Sequence, residues 1–227
     1  MSEHHGHDHG TVAIQLALRP GGSDRVAAVR RARRLNAATI GWNAVEGILA
    51  VAAGLAAGSV SLVGFGFDSA IEVSAALVLT WRLHQERKGG CMQPSDRRAT
   101  RVIAVSFVIL SAYVGIESIR DLLDGARPDS STVGIAMAAL SLMVMPFLAG
   151  AKRALAPALG SAAAVADAKQ TNLCALLSAI LLVGLAANAV LGWWWADPLA
   201  GVGIAALALL EARRTWTAES LADTCCA

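Results

Sequence analysis

Asp68 and Glu72 stand four residues apart in the stretch GFGFDSAIEV, residues 64–73, with aliphatic residues on both sides. In a helix this spacing puts both carboxylates on one face, a turn apart. Such a pair can be a structural one, protonated or hydrogen-bonded against a neighbouring helix, or it can hold a cation. A second polar run, ADAKQTNLCALLS at 166–178, sets Asp167, Gln170, Cys174 and Ser178 at steps of three and four, again on one face. Carboxylate, amide and thiolate each bind divalent ions, and two donors from each of two helices would supply the four ligands of tetrahedral zinc. Hydrogen bonding and packing between helices are the other use of Gln and Cys in such a setting.

The elements that carry these residues are apolar. Of 227 residues, 56% are hydrophobic and 16% charged, against about 25% charged in soluble domains. The charges fall in short blocks between long apolar runs, whereas an amphipathic soluble helix spreads them at intervals of three and four. A bilayer core of ~30 Å takes about 20 apolar helical residues. Six runs qualify or nearly so: 37–57, 60–81, 102–122, 133–149, 173–191 and the shorter 198–210. The expected fold is therefore all-α, a polytopic membrane protein with six transmembrane helices. A carboxylate near the centre of a bilayer costs at least ~2.5–3.5 kcal/mol. Asp68 lies about 12 Å from the outer end of its helix at 1.5 Å per residue, so it needs a partner, a proton or a cargo.

Lys and Arg gather on one side of such a bundle. Arg19, Arg25, Arg30, Arg31, Arg33 and Arg34 precede the first run, and Arg82, Arg87, Lys88, Arg97, Arg98 and Arg101 join the second to the third. Lys152, Arg153 and Lys169 lie between the fourth and fifth, and Arg213 and Arg214 follow the sixth. The other side has Arg120 and Arg127. The positive-inside rule then puts both termini in the cytoplasm, and the net charge of +2 reflects topology, with no nucleic-acid partner implied. The expected organisation is a flexible His-rich and basic arm over 1–35, a membrane domain over 36–215 and a short Cys-containing tail over 216–227. The first 35 residues lack the apolar core of a signal peptide. Cys91, Cys225 and Cys226 face the reducing cytoplasm and Cys174 the bundle, which argues for free thiols.

GSVSLVGFGFDSAIEV resembles the second helix of the cation diffusion facilitator family, ADAKQTNLC the start of its fifth, and GWWWADPLAGVGIA its sixth, with Asp197 and Pro198 at the helix start. The resemblance covers roughly residues 36–215. It implies a secondary transporter of the plasma membrane, usually dimeric and without a permanent cofactor, that exports a divalent metal ion in exchange for protons. Zinc is the usual cargo, with cadmium or cobalt next. By position, the resemblance places the transport site on Asp68, Glu72, Gln170 and Cys174. Three departures stand out: Gln170 and Cys174 replace His and Asp, Glu72 replaces the second Asp, and a short tail stands where a soluble metal-binding domain is expected.

The chemistry suits exchange. Carboxylates and thiols shed protons to ligate a metal, so metal and protons compete for them. Burial favours their neutral forms when no metal is present. Gln170 adds geometry and no proton. A thiolate favours zinc and cadmium over magnesium or manganese. By hydropathy alone Gln170 lies at the edge of the fifth helix. The Ala-rich, helix-compatible stretch 161–167 would set it roughly 14 Å deeper.

Around this set, Asn43 and Glu46 lie one turn apart in the first helix and, with Asp167, offer a second polar layer or a proton path. His4, His5, His7 and His9 form a candidate cytoplasmic metal collector, and Cys225 and Cys226 a candidate soft-metal pair. Glu117 and Arg120 are spaced to pair, Gly54 and Gly58 form a packing GxxxG, and Trp193, Trp194 and Trp195 suit an outer aromatic belt. Two other functions fit parts of the pattern. One is a membrane metal sensor or partner subunit that transports nothing. The other is an intramembrane aspartyl protease, for which Asp68 would need Asp167 as its second acid.

Overall fold

The computed structural model describes residues 22–86, 94–159 and 162–222, and all are in helices or their junctions. The six helices are α1 (Gly22–Ala57), α2 (Val60–Glu86), α3 (Pro94–Asp124), α4 (Thr132–Leu159), α5 (Ala162–Leu191) and α6 (Ala196–Ala222). Five of them are long and apolar enough to cross a membrane. The exception is α6, whose apolar run is broken by Glu211, Arg213 and Arg214. It packs along α3 and also touches α2 and α5, so it belongs to the bundle by contact.

Two boundaries differ from the sequence expectation. α1 starts at Gly22, inside the stretch assigned to a flexible arm, and α6 runs to Ala222, past the expected end of the membrane domain. Both extensions are polar helix ends that a hydropathy threshold does not register. α5 begins at Ala162, as its Ala-rich start suggested. The His cluster and the Cys225–Cys226 pair lie outside the described residues.

The helices turn their polar residues inward. In α1 the buried positions include Ala32, Asn36, Thr39, Asn43, Glu46 and Ala50, at steps of four and three, while Val45, Ile48 and Leu55 face outward. Lipid rewards apolar surface on the outside, so the inner stripe is free to carry polar groups provided they find partners. Asn36 meets that demand by donating to Ala76 O at 3.2 Å and Thr80 Oγ1 at 3.1 Å on α2. Phe65, Phe107, Met145, Leu177 and Ile204 fill the core between helices.

The junctions α1/α2, α3/α4 and α5/α6 share one closure. Gly58, Gly125 and Gly192 adopt positive φ of 65–66°, the left-handed cap that glycine takes without a Cβ clash. After Gly58, the Ser59 N–H reaches back to Gly54 O at 2.9 Å, and the Ser59 side chain then caps α2 through Leu62 N at 3.2 Å. Gly58 therefore ends a helix, and a Cβ built on it would meet nothing within 4 Å. This corrects its expected role in a GxxxG interface. The close approach of α1 and α2 is made instead by Gly54 against Val63 and by Gly47 against Gly66.

Candidate functional site

α2 presents Asp68 and Glu72 to the interior, both fully buried. Neither oxygen of Asp68 has a hydrogen-bond partner. Glu72 Oε1 accepts from Thr171 Oγ1 at 2.7 Å, while its Oε2 is unpartnered. Cys174, buried on α5, lies near Glu72, Asp68 and Glu46. Glu46 on α1 accepts from Ser69 Oγ at 3.4 Å and is flanked by Trp42 and Ser141. Its Oε1 is also without a partner.

The structure thus brings Asp68, Glu72, Cys174 and Glu46 into one polar interior. Gln170 is buried one turn from Cys174 on α5, with its amide nitrogen unpartnered. Asn43 is buried too; its amide nitrogen donates to Thr39 O at 3.0 Å, which leaves Oδ1 free. Among the described residues, no three His, Cys, Asp or Glu side chains stand close enough to form a ready-made metal cage. Ser178, on the same face of α5, turns its hydroxyl back to Cys174 O at 2.7 Å.

Asp167 takes a different position from an acid catalyst. It forms a buried ion pair with Lys152 Nζ of α4 at 3.0 Å. Lys152 also donates to Thr171 Oγ1 at 2.9 Å, and Thr171 links onward to Glu72. A chain of contacts therefore runs Asp167, Lys152, Thr171, Glu72 across three helices. Sequence reasoning missed two of its members. Lys152 reads as a topology marker, yet it continues the inward stripe Ser141, Met145, Ala149 at steps of four, four and three. Thr171 lies four residues after Asp167 on the same inward face, and that spacing was the available signal.

A second polar contact closes the other end. Asp197, at the start of α6, accepts from Ser59 Oγ at 2.7 Å and from Ser61 Oγ. Between the two ends the outer surface is apolar. A groove of about 630 Å³ between α2 and α3, lined by Phe67, Ile71, Ile103 and Tyr113 among others, faces outward and holds none of the acids. Glu117 and Arg120 pair at 2.7 Å as their spacing predicted, and Trp193 stacks on Trp195 with centroids 5.1 Å apart.

An apolar bundle wrapped around buried acids, whose carboxyl groups keep oxygens without a hydrogen-bond partner, is the architecture of a polytopic membrane protein with a polar interior. The family model of the cation efflux transmembrane domain matches residues 38–217. The chain belongs to the cation efflux family, whose members are transporters of metal cations and not enzymes. No curated protein matches it at a significant level.

Proposed function

We propose that this chain exports a divalent metal ion across the plasma membrane in exchange for protons, with zinc as the leading cargo and cadmium or cobalt next. Asp68, Glu72, Gln170 and Cys174 are the ligands in this reading. Asn43, Glu46 and Asp167 form the surrounding polar layer, both termini lie in the cytoplasm, and the working unit is a homodimer. One observation carries it: Asp68 is fully buried with both carboxylate oxygens unpartnered, beside Glu72 and Cys174. A buried acid in that state is expensive unless it takes a proton or a cation. Alternating the two is proton–metal exchange. Because the donors form no closed cage, cargo has to draw the side chains together by rotamer changes.

The test is metal-driven proton movement in proteoliposomes, run with zinc, cadmium, cobalt and manganese. Wild type should take up zinc and move protons the opposite way, and Asp68→Asn should abolish both. Cys174→Ser should retain transport but shift preference away from cadmium, because a hydroxyl is a harder donor than a thiolate. Folded wild type that moves none of the four ions would overturn the reading and leave a sensor or partner subunit in its place.

A further inference from the structure

The Thr171 hydroxyl has a single proton and three neighbours. Lys152 Nζ lies at 2.9 Å, Glu72 Oε1 at 2.7 Å and Asp167 O at 3.1 Å. An ammonium group only donates, so Thr171 must accept from Lys152 and direct its own proton to one of the two oxygens. A carboxylate able to bind metal is ionised, and an ionised acceptor at the shorter distance wins over a backbone carbonyl. Donation by Lys152 polarises the hydroxyl and strengthens its bond to Glu72. Lys152 is itself held by Asp167 at 3.0 Å, so the donor cannot drift away. One lone pair of Glu72 Oε1 is thereby taken and that oxygen is fixed in place, while Oε2 is buried and unpartnered.

The geometry points to Thr171 as a specificity-determining residue, which ties one oxygen of Glu72 so that the carboxylate offers a cation its other oxygen in preference. This rests on the reading of Glu72 as a ligand given above. One-oxygen binding matches zinc, which takes four ligands at about 2.0–2.2 Å from carboxylate oxygen. Larger cations take more oxygens at longer distances and readily use both oxygens of a carboxylate. Thr171 therefore selects against larger ions without touching the cargo, by rationing the oxygens of Glu72.

The test uses the purified full chain in detergent micelles, with equilibrium binding of zinc and of cadmium, the larger ion. Thr171→Val keeps the shape of the side chain and removes the hydroxyl, while the Lys152–Asp167 pair stays in place. It should shift the zinc-to-cadmium affinity ratio toward cadmium by up to about tenfold, or ~1.4 kcal/mol. X-ray absorption of bound cadmium should then count one more oxygen neighbour than in wild type. Thr171→Ser should keep the wild-type ratio and count. Thr171→Ala provides the same loss of hydroxyl should the valine variant fold poorly. An unchanged ratio and oxygen count in the folded valine or alanine variant would overturn the inference while leaving the transport site intact. Wild type that binds neither ion would sink the site reading first, and this inference with it.

Discussion

Single residues divide into those that stand out by type and spacing and those that stand out only through a neighbour. Asp68, Glu72 and Cys174 belong to the first group, because an ionisable residue within an apolar run is conspicuous wherever it points. Lys152 belongs to the second. Its side chain is 4% exposed and its partner Asp167 is 3% exposed, so neither charge has water to fall back on. Removing one partner from such a pair typically costs ~3–5 kcal/mol, whereas replacing both by neutral groups of similar size is often harmless. Asp167→Asn should therefore lower stability by about that amount, and Lys152→Met combined with Asp167→Asn should restore most of it. Thermal unfolding in micelles measures both. The exposed Glu117–Arg120 pair is the control: its Arg side chain is 65% exposed, and Glu117→Gln should cost at most ~1 kcal/mol. Sequence could not separate these two pairs. Glu117 and Arg120 share one helix, so spacing revealed them; Lys152 and Asp167 stand on different helices, and only the fold brings them together. Thr171 was hidden for a related reason, because its hydroxyl gains importance solely from the Lys152 and Glu72 groups that other helices deliver.

At the scale of helices, apolar run length identified the elements and missed their polar ends, which is why α1 and α6 extend beyond their expected limits. What apolar runs cannot encode is how closely two helices approach. A Cβ built on Gly66 would lie 2.6 Å from Val51 Cγ2 and 3.0 Å from Gly47 O, too close for either to remain in place. This contact lies beside the Glu46–Ser69 bond, so the α1–α2 distance also sets whether Glu46 reaches the other acids. Gly66→Ala should force the helices apart at a cost of about 1–3 kcal/mol, the usual range for overpacking. It should also weaken metal binding more than its stability loss explains, since Glu46 would be withdrawn. Gly41, on α1, has nothing within 4 Å of its would-be Cβ. Gly41→Ala should be neutral or stabilise by up to ~1 kcal/mol through helix propensity. Calorimetry and zinc titration on both variants check the contrast, and equal effects at the two glycines would remove the argument for a tight α1–α2 crossing.

For the whole molecule the decisive fact is that Asp68, Glu72 and Cys174 are all fully buried. If they hold the cargo as proposed, it can reach them only when one end of the bundle opens, and a different polar tie joins helices at each end. Lys152 and Asp167 join α4 to α5 at the end where those helices meet, the side rich in Arg and Lys. Ser59 and Ser61 join the start of α2 to Asp197 at the start of α6, at the opposite end. The proposed exchange requires these ends to open in turn, so loosening one tie should favour access from that side alone. Cys174 is the built-in reporter. With Cys91, Cys225 and Cys226 changed to Ser, a membrane-impermeant thiol reagent can be applied to either face of oriented vesicles. Asp197→Ala should speed labelling of Cys174 severalfold from the α5/α6 junction side and leave the other side unchanged. Lys152→Met with Asp167→Asn should do the reverse. Saturating zinc should slow labelling from both sides, because in the proposed site the thiol becomes a ligand. Equal acceleration from both faces in either variant would mean that the ties merely stabilise the bundle, and that the barrier to cargo lies in the apolar core around Phe65 and Leu177.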